Sequence, residues 1–427
     1  SSIPAGANLH RVVVTDANSD QASSFQPFSS VHSPYPDDLW RWLDETSAAI
    51  GARFVAIPHN SNVSKGLMFS DTTLRGDPVD ADYARQRMRW ERLVEVTQIK
   101  GDSEVAALFS PDDEFAGFEE YPFYLQVNPG GYEPRPGDFV RSGLKTGLQL
   151  GAAVGVNPFQ FGLIGSTDSH TGLAAADEAN FAGKMAIDSI PENKMEPVAG
   201  PVRGWAMSAS GLAAVWAEEN TRSGIIDAMQ RREAYATTGP RMRVRFFGGW
   251  NFSDTDLQAA DWVALGYAKG VPMGGELAPP GGMAEDQPVP SFLVTANKDP
   301  NGANLDRVQI IKGWLDADGE SHERVFEMAW SGGREPDENG KLPAVGNTVD
   351  LTTARYSNSI GAAELSAVWR DPEFDAAQSA FYYVRVIEIP TPRHALYDAL
   401  ALGMEAPTYG PAVIQERAYT SPIWYRP

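Results

Sequence analysis

The feature that most constrains the fold is a change in hydrophobic patterning part-way along the 427-residue chain. From Ser1 to about Gly239, short apolar strand-like runs alternate with amphipathic, helix-like segments. Such alternation is typical of a parallel sheet or barrel, in which helices cross over between neighbouring strands. We therefore expect one of these over residues 1–240. The strand candidates are Leu9–Asp16, Arg53–Pro58, Leu93–Ile99 and Phe161–Thr167.

The helix candidates between these strands carry recognisable start and stop signals. In PDDLWRWLDETSAAIGAR, Pro36 and Asp37 suit a first turn, and Gly51 suits the residue just beyond a helix end. The other three candidates are DADYARQRMRWERL, PGDFVRSGLKTGLQLGAAVG and NTRSGIIDAMQRREAYATTGP.

From about Arg241 onward the helical periodicity disappears. The runs RMRVRFFGGW, SFLVTANK, LDRVQIIKGWLD, HERVFEMAW, AELSAVWRD and AFYYVRVIEI are separated by Gly, Pro, Asn and Asp clusters. This pattern predicts an antiparallel β-sandwich domain over residues 241–427, with an exposed loop at APPGGMAEDQPVP. Its large aromatic rings should be at least partly buried in a core, namely Trp250, Trp314, Trp330 and Trp369.

Composition excludes several classes of function. A formal net charge of -21 argues against nucleic-acid binding and gives no polybasic patch for a membrane surface. No apolar run is long enough to insert into a membrane. The absence of cysteine excludes disulfides, thiolate zinc sites and cysteine nucleophiles. It also favours a periplasmic or secreted protein, although a cytoplasmic location stays open.

Two histidines and two acidic residues stand out because of their positions relative to the predicted strands. His59 ends one apolar strand, and Asp168 and His170 follow another in GSTDSHTG. Glu95 lies within the apolar strand LVEVTQ, where a carboxylate needs a partner. Strand ends in parallel α/β folds gather ligands, and this mixture of nitrogen and oxygen donors suits zinc, manganese or iron.

Simpler explanations exist for each of these residues. A single histidine at a strand end is usually a hydrogen-bonding turn residue, and a D-x-H motif alone has little specificity. Glu95 could instead pair with an arginine of a neighbouring helix. The patterns around the remaining histidines indicate structural or solvated turn positions, namely His10, His32, His322 and His394.

Longer segments resemble a known family. The stretches GSTDSHTGLAAADEANFAGK, AIPHNSNVSKGLMF, WERLVEVTQIKGDSE, REAYATTGPRMRVRFFGGW and ERAYTSPIWYRP are similar to the bacterial DUF3604 family. That family in turn resembles the PHP superfamily of metal-dependent phosphoesterases and hydrolases. The resemblance implies a distorted β/α barrel with divalent metal ions, most simply zinc, at the carboxyl ends of its strands. It places Asp168, His170 and His59 among the metal ligands, and Glu95 with them less directly.

One departure from this resemblance concerns the start of the chain. PHP-like proteins begin with an H-x-H strand and a following Asp-His pair, whereas the first strand candidate here is LHRVVVTD. We therefore expect the barrel to be incomplete, with roughly the first third of a family member absent. An associated N-terminal fragment of the same polypeptide is then an expected partner. A chain that begins Ser1-Ser2 without methionine is consistent with processing or proteolysis.

The function expected from the residues and the resemblance is metal-dependent hydrolysis of a phosphoester or other ester in a small-molecule substrate. In this hypothesis Asp168 and His170 take part in catalysis, while Lys100 and Arg241 stabilise developing negative charge. The alternative is a non-catalytic ligand- or glycan-binding protein. In that case the tryptophan-rich β domain would bind the ligand and the barrel would be degenerate.

Overall fold

A computed structural model describes residues 7–125, 131–199, 202–279, 288–338 and 340–427 of the protein. It is a mixed α/β structure in which most strand pairs are antiparallel. Most of the predicted loop APPGGMAEDQPVP lies outside these residues. No helix in the described ranges has both the length and the apolar character needed to cross a membrane.

The described residues form 21 strands and nine α-helices, labelled in chain order. Strands β1 to β21 are Arg11–Thr15, Phe54–Pro58, Leu93–Gln98, Gly101–Asp102, Gly162–Gly165, Pro197–Ala199, Val202–Arg203, Leu212–Val215, Ala234–Thr237, Arg243–Gly249, Gly270–Pro272, Glu276–Leu277, Ser291–Asn297, Leu305–Leu315, Ser321–Trp330, Glu364–Arg370, Ala380–Glu388, Thr391–Pro392, Val413–Ile414, Arg417–Thr420 and Ile423–Tyr425. Helices α1 to α9 are Ser19–Ser23, Pro36–Ile50, Ala81–Trp90, Val140–Val154, Pro191–Met195, Arg222–Arg231, Asp254–Leu257, Trp262–Lys269 and His394–Ala401.

Local signals in the sequence predicted individual elements well. Helix α2 begins with Pro36 in its first turn and ends before Gly51, which has a left-handed φ of 67°. Helix α4 ends in the same way at Gly155, with a φ of 80°. Both glycines lie where the chain must reverse out of the helix, a backbone conformation that is unfavourable for most other residues.

The expectation of a parallel sheet or barrel in the first half is not met. Strand β1 pairs antiparallel with β2, and only β3 and β5 pair in parallel there. No closed barrel is formed by the part of the chain that the structure describes. Hydrophobic periodicity identifies a strand, but the direction of its pairing depends on tertiary contacts that the pattern does not record.

The second half forms two antiparallel layers. One sheet has the strand order β11-β10-β13-β16, and the other contains β14, β15, β17, β20 and β21. Side chains of both sheets meet in one hydrophobic cluster, for example Phe246 and Phe292 with Val308 and Tyr382. This face-to-face packing favours the predicted sandwich. The four tryptophans predicted for its core are each partly buried, as expected.

The two halves share a sheet and a polar network across the predicted boundary at residue 240. Strand β9 pairs with β20. The buried Arg385 of β17 lies 3.0 Å from Glu104 and 2.6 Å from Asp113. Arg141 of α4 contacts the same two carboxylates at 2.6 and 2.9 Å. These contacts join the two halves of the chain through buried ion pairs. The division into two domains at residue 240 stays a prediction.

A buried carboxyl next to this network makes stability depend on pH. Burial, followed by the Glu104 charge, raises the pKa of Asp102 to about 7. The folded protein therefore holds a proton that the unfolded chain releases near pH 4, and Asp102 destabilises the fold increasingly as pH rises towards 7. The free energy of unfolding of an Asp102→Asn variant should exceed that of the wild type. This difference should be roughly 2–3 kcal/mol larger at pH 8 than at pH 5.

Urea unfolding of both proteins at the two pH values measures this difference. Asp318→Asn is the control, because that residue is exposed in a turn. If the difference in unfolding free energy between Asp102→Asn and the wild type did not grow with pH, the pKa of Asp102 would not be raised in the folded protein.

Candidate functional site

The candidate site lies where β2, β3 and β5 end. His59 follows β2 directly and is buried, and its backbone N–H donates to the His10 carbonyl at 3.0 Å. Its ring Nδ1 lies 2.8 Å from Glu95 Oε2 in β3. The Nε2 atom of His59 therefore points away from Glu95, towards the segment after β5.

Glu95 is buried, and each of its oxygens has a partner. Oε2 accepts from His59 and from the Ser166 hydroxyl at 2.5 Å, and Oε1 accepts from the Asn60 backbone N–H at 3.3 Å. The partner that the sequence requires for a carboxylate in an apolar strand is thus a histidine rather than an arginine. Through its contact with Nδ1, Glu95 holds the ring of His59 in one orientation.

Asp168 is the centre of the cluster. It has a left-handed φ of 50°, a conformation in which aspartate is one of the tolerated residues. Its Oδ1 atom lies 3.5 Å from His59 Nε2 and 3.3 Å from His170 Nε2. The turn therefore brings three residues of the predicted metal set together, namely His59, Asp168 and His170, while Glu95, the fourth, contacts His59.

The second oxygen of Asp168 faces two lysines. Lys184 Nζ lies 2.6 Å from Oδ2 and 3.0 Å from the Asp168 carbonyl, and Lys100 Nζ also contacts Oδ2. Burial, followed by the neighbouring Lys184 ammonium, lowers the pKa of Lys100 to about 6, whereas Glu95 acts in the opposite direction. The Asp168 carboxylate also favours the charged forms of both lysines, because it touches them.

His170 forms the open side of the cluster, with 48% of its side chain exposed. Its backbone N–H donates to the Lys184 carbonyl at 2.9 Å, which closes the loop between these residues. Burial, followed by the charges of Lys184 and Lys100, lowers the pKa of His170. A neutral imidazole retains the lone pair that metal coordination needs.

The distances allow a test of whether these side chains suit a metal ion. Ligand atoms about 2.0–2.1 Å from a tetrahedral zinc ion lie about 3.3–3.4 Å from each other. The spacings of 3.5 and 3.3 Å from Asp168 Oδ1 to the two imidazoles fit this requirement. As the side chains stand, no group of three or more His, Asp or Glu residues in the described ranges could hold a metal ion, and the lysines occupy the other Asp168 oxygen.

Comparison with known families identifies the chain. The model of the family described as "Protein of unknown function (DUF3604)" matches residues 1–427. The chain belongs to the DUF3604 family. No curated protein matches this DUF3604 chain, and no solved structure does. The expectation of an absent N-terminal portion, and of a fragment bound in its place, stays a prediction.

Five of the six predicted site residues of this DUF3604 protein lie together, namely His59, Glu95, Lys100, Asp168 and His170. Among the described residues, no side-chain hydrogen bond or ion pair joins Arg241 to them. It is exposed on the wall of a separate cavity, and its backbone N–H donates to Asp299 Oδ2 at 2.7 Å. The sequence places Arg241 just after a strand-like segment, but that position does not indicate which way its side chain faces.

Three neighbours of the site were not predicted from the sequence. Lys184 and Ser166 flank the D-x-H motif, and the ring of His10 stacks on His59 with 6.4 Å between centroids. The sequence interpretation had assigned His10 a structural role. No spacing rule selects Lys184, because it lies 16 positions after Asp168 and reaches it only through the closure of the intervening loop.

Proposed function

We propose that this protein is a metal-dependent hydrolase of phosphoester or other ester bonds. The observation that carries the proposal is the convergence of His59, Asp168 and His170 at the ends of two strands. The D-x-H motif and the position of His59 also support a distant relationship to the PHP superfamily, whose distorted barrel remains part of the proposal.

In this proposal the chain would hold a divalent ion, zinc or else manganese or iron, through His59 Nε2, Asp168 Oδ1 and His170 Nε2. When bound, the ion would lower the pKa of a water molecule and polarise the oxygen of the bond to be broken. Two neutral imidazoles and one carboxylate are a donor set that suits these metals.

Glu95 acts on His59 rather than as a direct ligand in this account. Its carboxylate accepts a hydrogen bond from Nδ1–H and thereby leaves the Nε2 lone pair facing Asp168. Ser166 and the Asn60 N–H in turn hold the carboxylate in place. This chain of contacts fixes both the tautomer and the direction of the imidazole.

The two lysines supply hydrogen-bond donors to the site. Lys100 is almost fully buried and Lys184 is mostly buried, so their amino groups act in a poorly solvated environment. There they can stabilise negative charge that develops on a phosphoryl or acyl oxygen. The exposed side of the cluster, at His170, is where a small-molecule substrate would approach.

A Glu95→Gln variant tests the arrangement. Loss of the carboxylate should weaken the hold on His59 and lower metal affinity by about 10- to 100-fold, as for other partners of metal-bound histidines. Competition with a chromogenic chelator measures the affinity, and hydrolysis of p-nitrophenyl phosphate and p-nitrophenyl acetate measures activity. Glu335→Gln, an exposed position, is the matched control. Equal metal affinity in the two variants would contradict the role of Glu95.

A ligand-binding function without catalysis is the second candidate, and one groove favours it. Trp330, Trp369 and Phe326 line a cavity of about 640 Å³ together with Arg324 and Glu327. Aromatic faces beside charged groups suit a sugar. Quenching of tryptophan fluorescence by simple sugars would support this function, particularly if it disappeared in a Trp330→Ala variant.

A further inference from the structure

A second cavity, of about 560 Å³, lies between the loop after β5 and the strands of the second half. Its wall carries five acidic residues from distant parts of the chain, namely Asp177, Glu178, Asp299, Glu388 and Glu416. Thr167, which precedes Asp168, is also on the wall. The cavity therefore adjoins the candidate site, but none of these five residues belongs to it.

The acidic side chains lack cationic partners. None of Glu178, Glu388 or Glu416 forms an ion pair with a lysine or arginine of the described residues. The nearby Arg393 is engaged by Glu119 at 2.7 Å. Lys298 donates instead to backbone carbonyls, including those of Asp299 and Gly302, both at 2.9 Å. These three carboxyl groups therefore have no ion-pair partner among the described residues.

Two buried polar atoms on the wall also have no hydrogen-bond partner. They are Oε1 of Glu388, which is 1% exposed, and Oγ1 of Thr391, which is 7% exposed. Buried polar groups are nearly always paired, so each unpaired one needs an explanation. A ligand that donates hydrogen bonds and carries positive charge would give such atoms, on a wall of carboxyl groups, the partners that they lack.

The residues that line the cavity favour an organic cation over a metal ion. In the described residues no three acidic or histidine side chains are arranged to hold a metal ion. The partly buried rings of Tyr356 and Tyr397 complete the lining, and aromatic rings can contact a cation. A cation of several ångströms' length can contact groups that a single metal ion cannot bridge.

We propose that this cavity binds a small organic amine, whose ammonium group is held by Glu388 and Thr391 and whose body lies between the tyrosines. The proposal does not depend on the hydrolase function, because it rests on a different set of residues. If both are correct, the amine would lie next to the reacting centre through Thr167.

Amine binding should depend on pH. Burial, followed by the charge of Asp299, raises the pKa of Glu388, and burial raises that of Glu178 to about 7 despite Arg393. A bound ammonium group favours the charged carboxylates, so binding should release protons and strengthen from pH 6 to pH 8. The ionisable groups facing these two residues are Glu119, Asp177, Lys298, Asp299, Tyr356, Arg393, Tyr397 and Glu416.

Isothermal titration of the whole protein with 1,5-diaminopentane tests the proposal, with 1,5-pentanediol as the uncharged probe of equal length. The diamine should bind and the diol should not. A Glu388→Gln variant should bind the diamine at least ~10-fold more weakly, the loss expected for an unpaired polar group in a site built to contact it. Glu320→Gln, an exposed change of the same type, should bind as the wild type does.

Titrations repeated in buffers with different heats of ionisation show whether the protein releases protons when the diamine binds. Absence of diamine binding at pH 8, equal binding of the diol, or undiminished binding in Glu388→Gln would each overturn the proposal. The Glu388→Gln substitution removes a buried carboxylate that has an unpaired oxygen. The unfolding midpoint of the variant shows whether it is folded, so that weaker binding can be separated from loss of structure. Thr391→Val provides a second, uncharged change at the same end of the cavity, which should also weaken binding.

Discussion

Replacing Asp168 by asparagine should abolish metal binding and hydrolysis together. Asp168 Oδ1 lies 3.5 Å from His59 Nε2 and 3.3 Å from His170 Nε2, and Oδ2 is contacted by two lysines. An asparagine at this position would leave the cluster without the carboxylate that faces both imidazoles. Mutation of a residue that only hydrogen-bonds to a metal ligand lowers metal affinity by about 10- to 100-fold. Because Asp168 is itself a proposed ligand, we expect its replacement to lower metal affinity by more than about 100-fold.

Asparagine is the appropriate replacement at this position. It tolerates the left-handed φ of 50° that Asp168 adopts, so the turn after β5 should keep its shape. Metal affinity and p-nitrophenyl ester hydrolysis are the measurements, and Asp318→Asn in an exposed turn is the control. An Asp168→Asn protein that keeps both its metal and its activity would show that the D-x-H motif is only a polar turn.

Replacing Arg385 by methionine should destabilise the fold more than any surface change. Arg385 is fully buried and lies against Glu104, Asp113 and Gln309. Although burial by itself raises the pKa of Glu104, the charges of Arg385 and Arg141 lower it. The variant leaves two buried carboxylates with Arg141 alone, and we expect a loss of about 3–5 kcal/mol.

Arg324→Met is the matched control for this change. Arg324 lies in β15 of the same sheet, is 53% exposed and forms its one ion pair within the described residues with Glu373, so its loss should change stability by less than about 1 kcal/mol. Chemical unfolding monitored by tryptophan fluorescence compares the variants. If the two substitutions had equal effects, the buried network would not be what joins the halves of the protein.

The sequence could predict elements and strand ends because local periodicity reflects burial. His59 and Asp168 follow strands β2 and β5, and their strand-end positions suggested that they would meet. The D-x-H spacing likewise placed His170 beside Asp168, although it reaches that position through a turn rather than along one strand. These features depend on residues that are close in sequence.

Features that depend on distant contacts could not be predicted in this way. The antiparallel pairing of β1 with β2, the contact of Lys184 with Asp168 and the separation of Arg241 from the site all result from tertiary packing. The ion network of Arg385 joins residues more than 270 positions apart. No local pattern in a single sequence marks such partners.

Metal content is the measurement that tests the central claim most directly. The protein should be purified without chelators or a metal-affinity step, dialysed against buffer with trace zinc, manganese and iron, and analysed for bound elements. A site formed by His59, Asp168 and His170 predicts about one transition-metal ion per chain, lost in Asp168→Asn. A metal content below ~0.1 per chain, or one that Asp168→Asn leaves unchanged, would contradict a metal site at these residues.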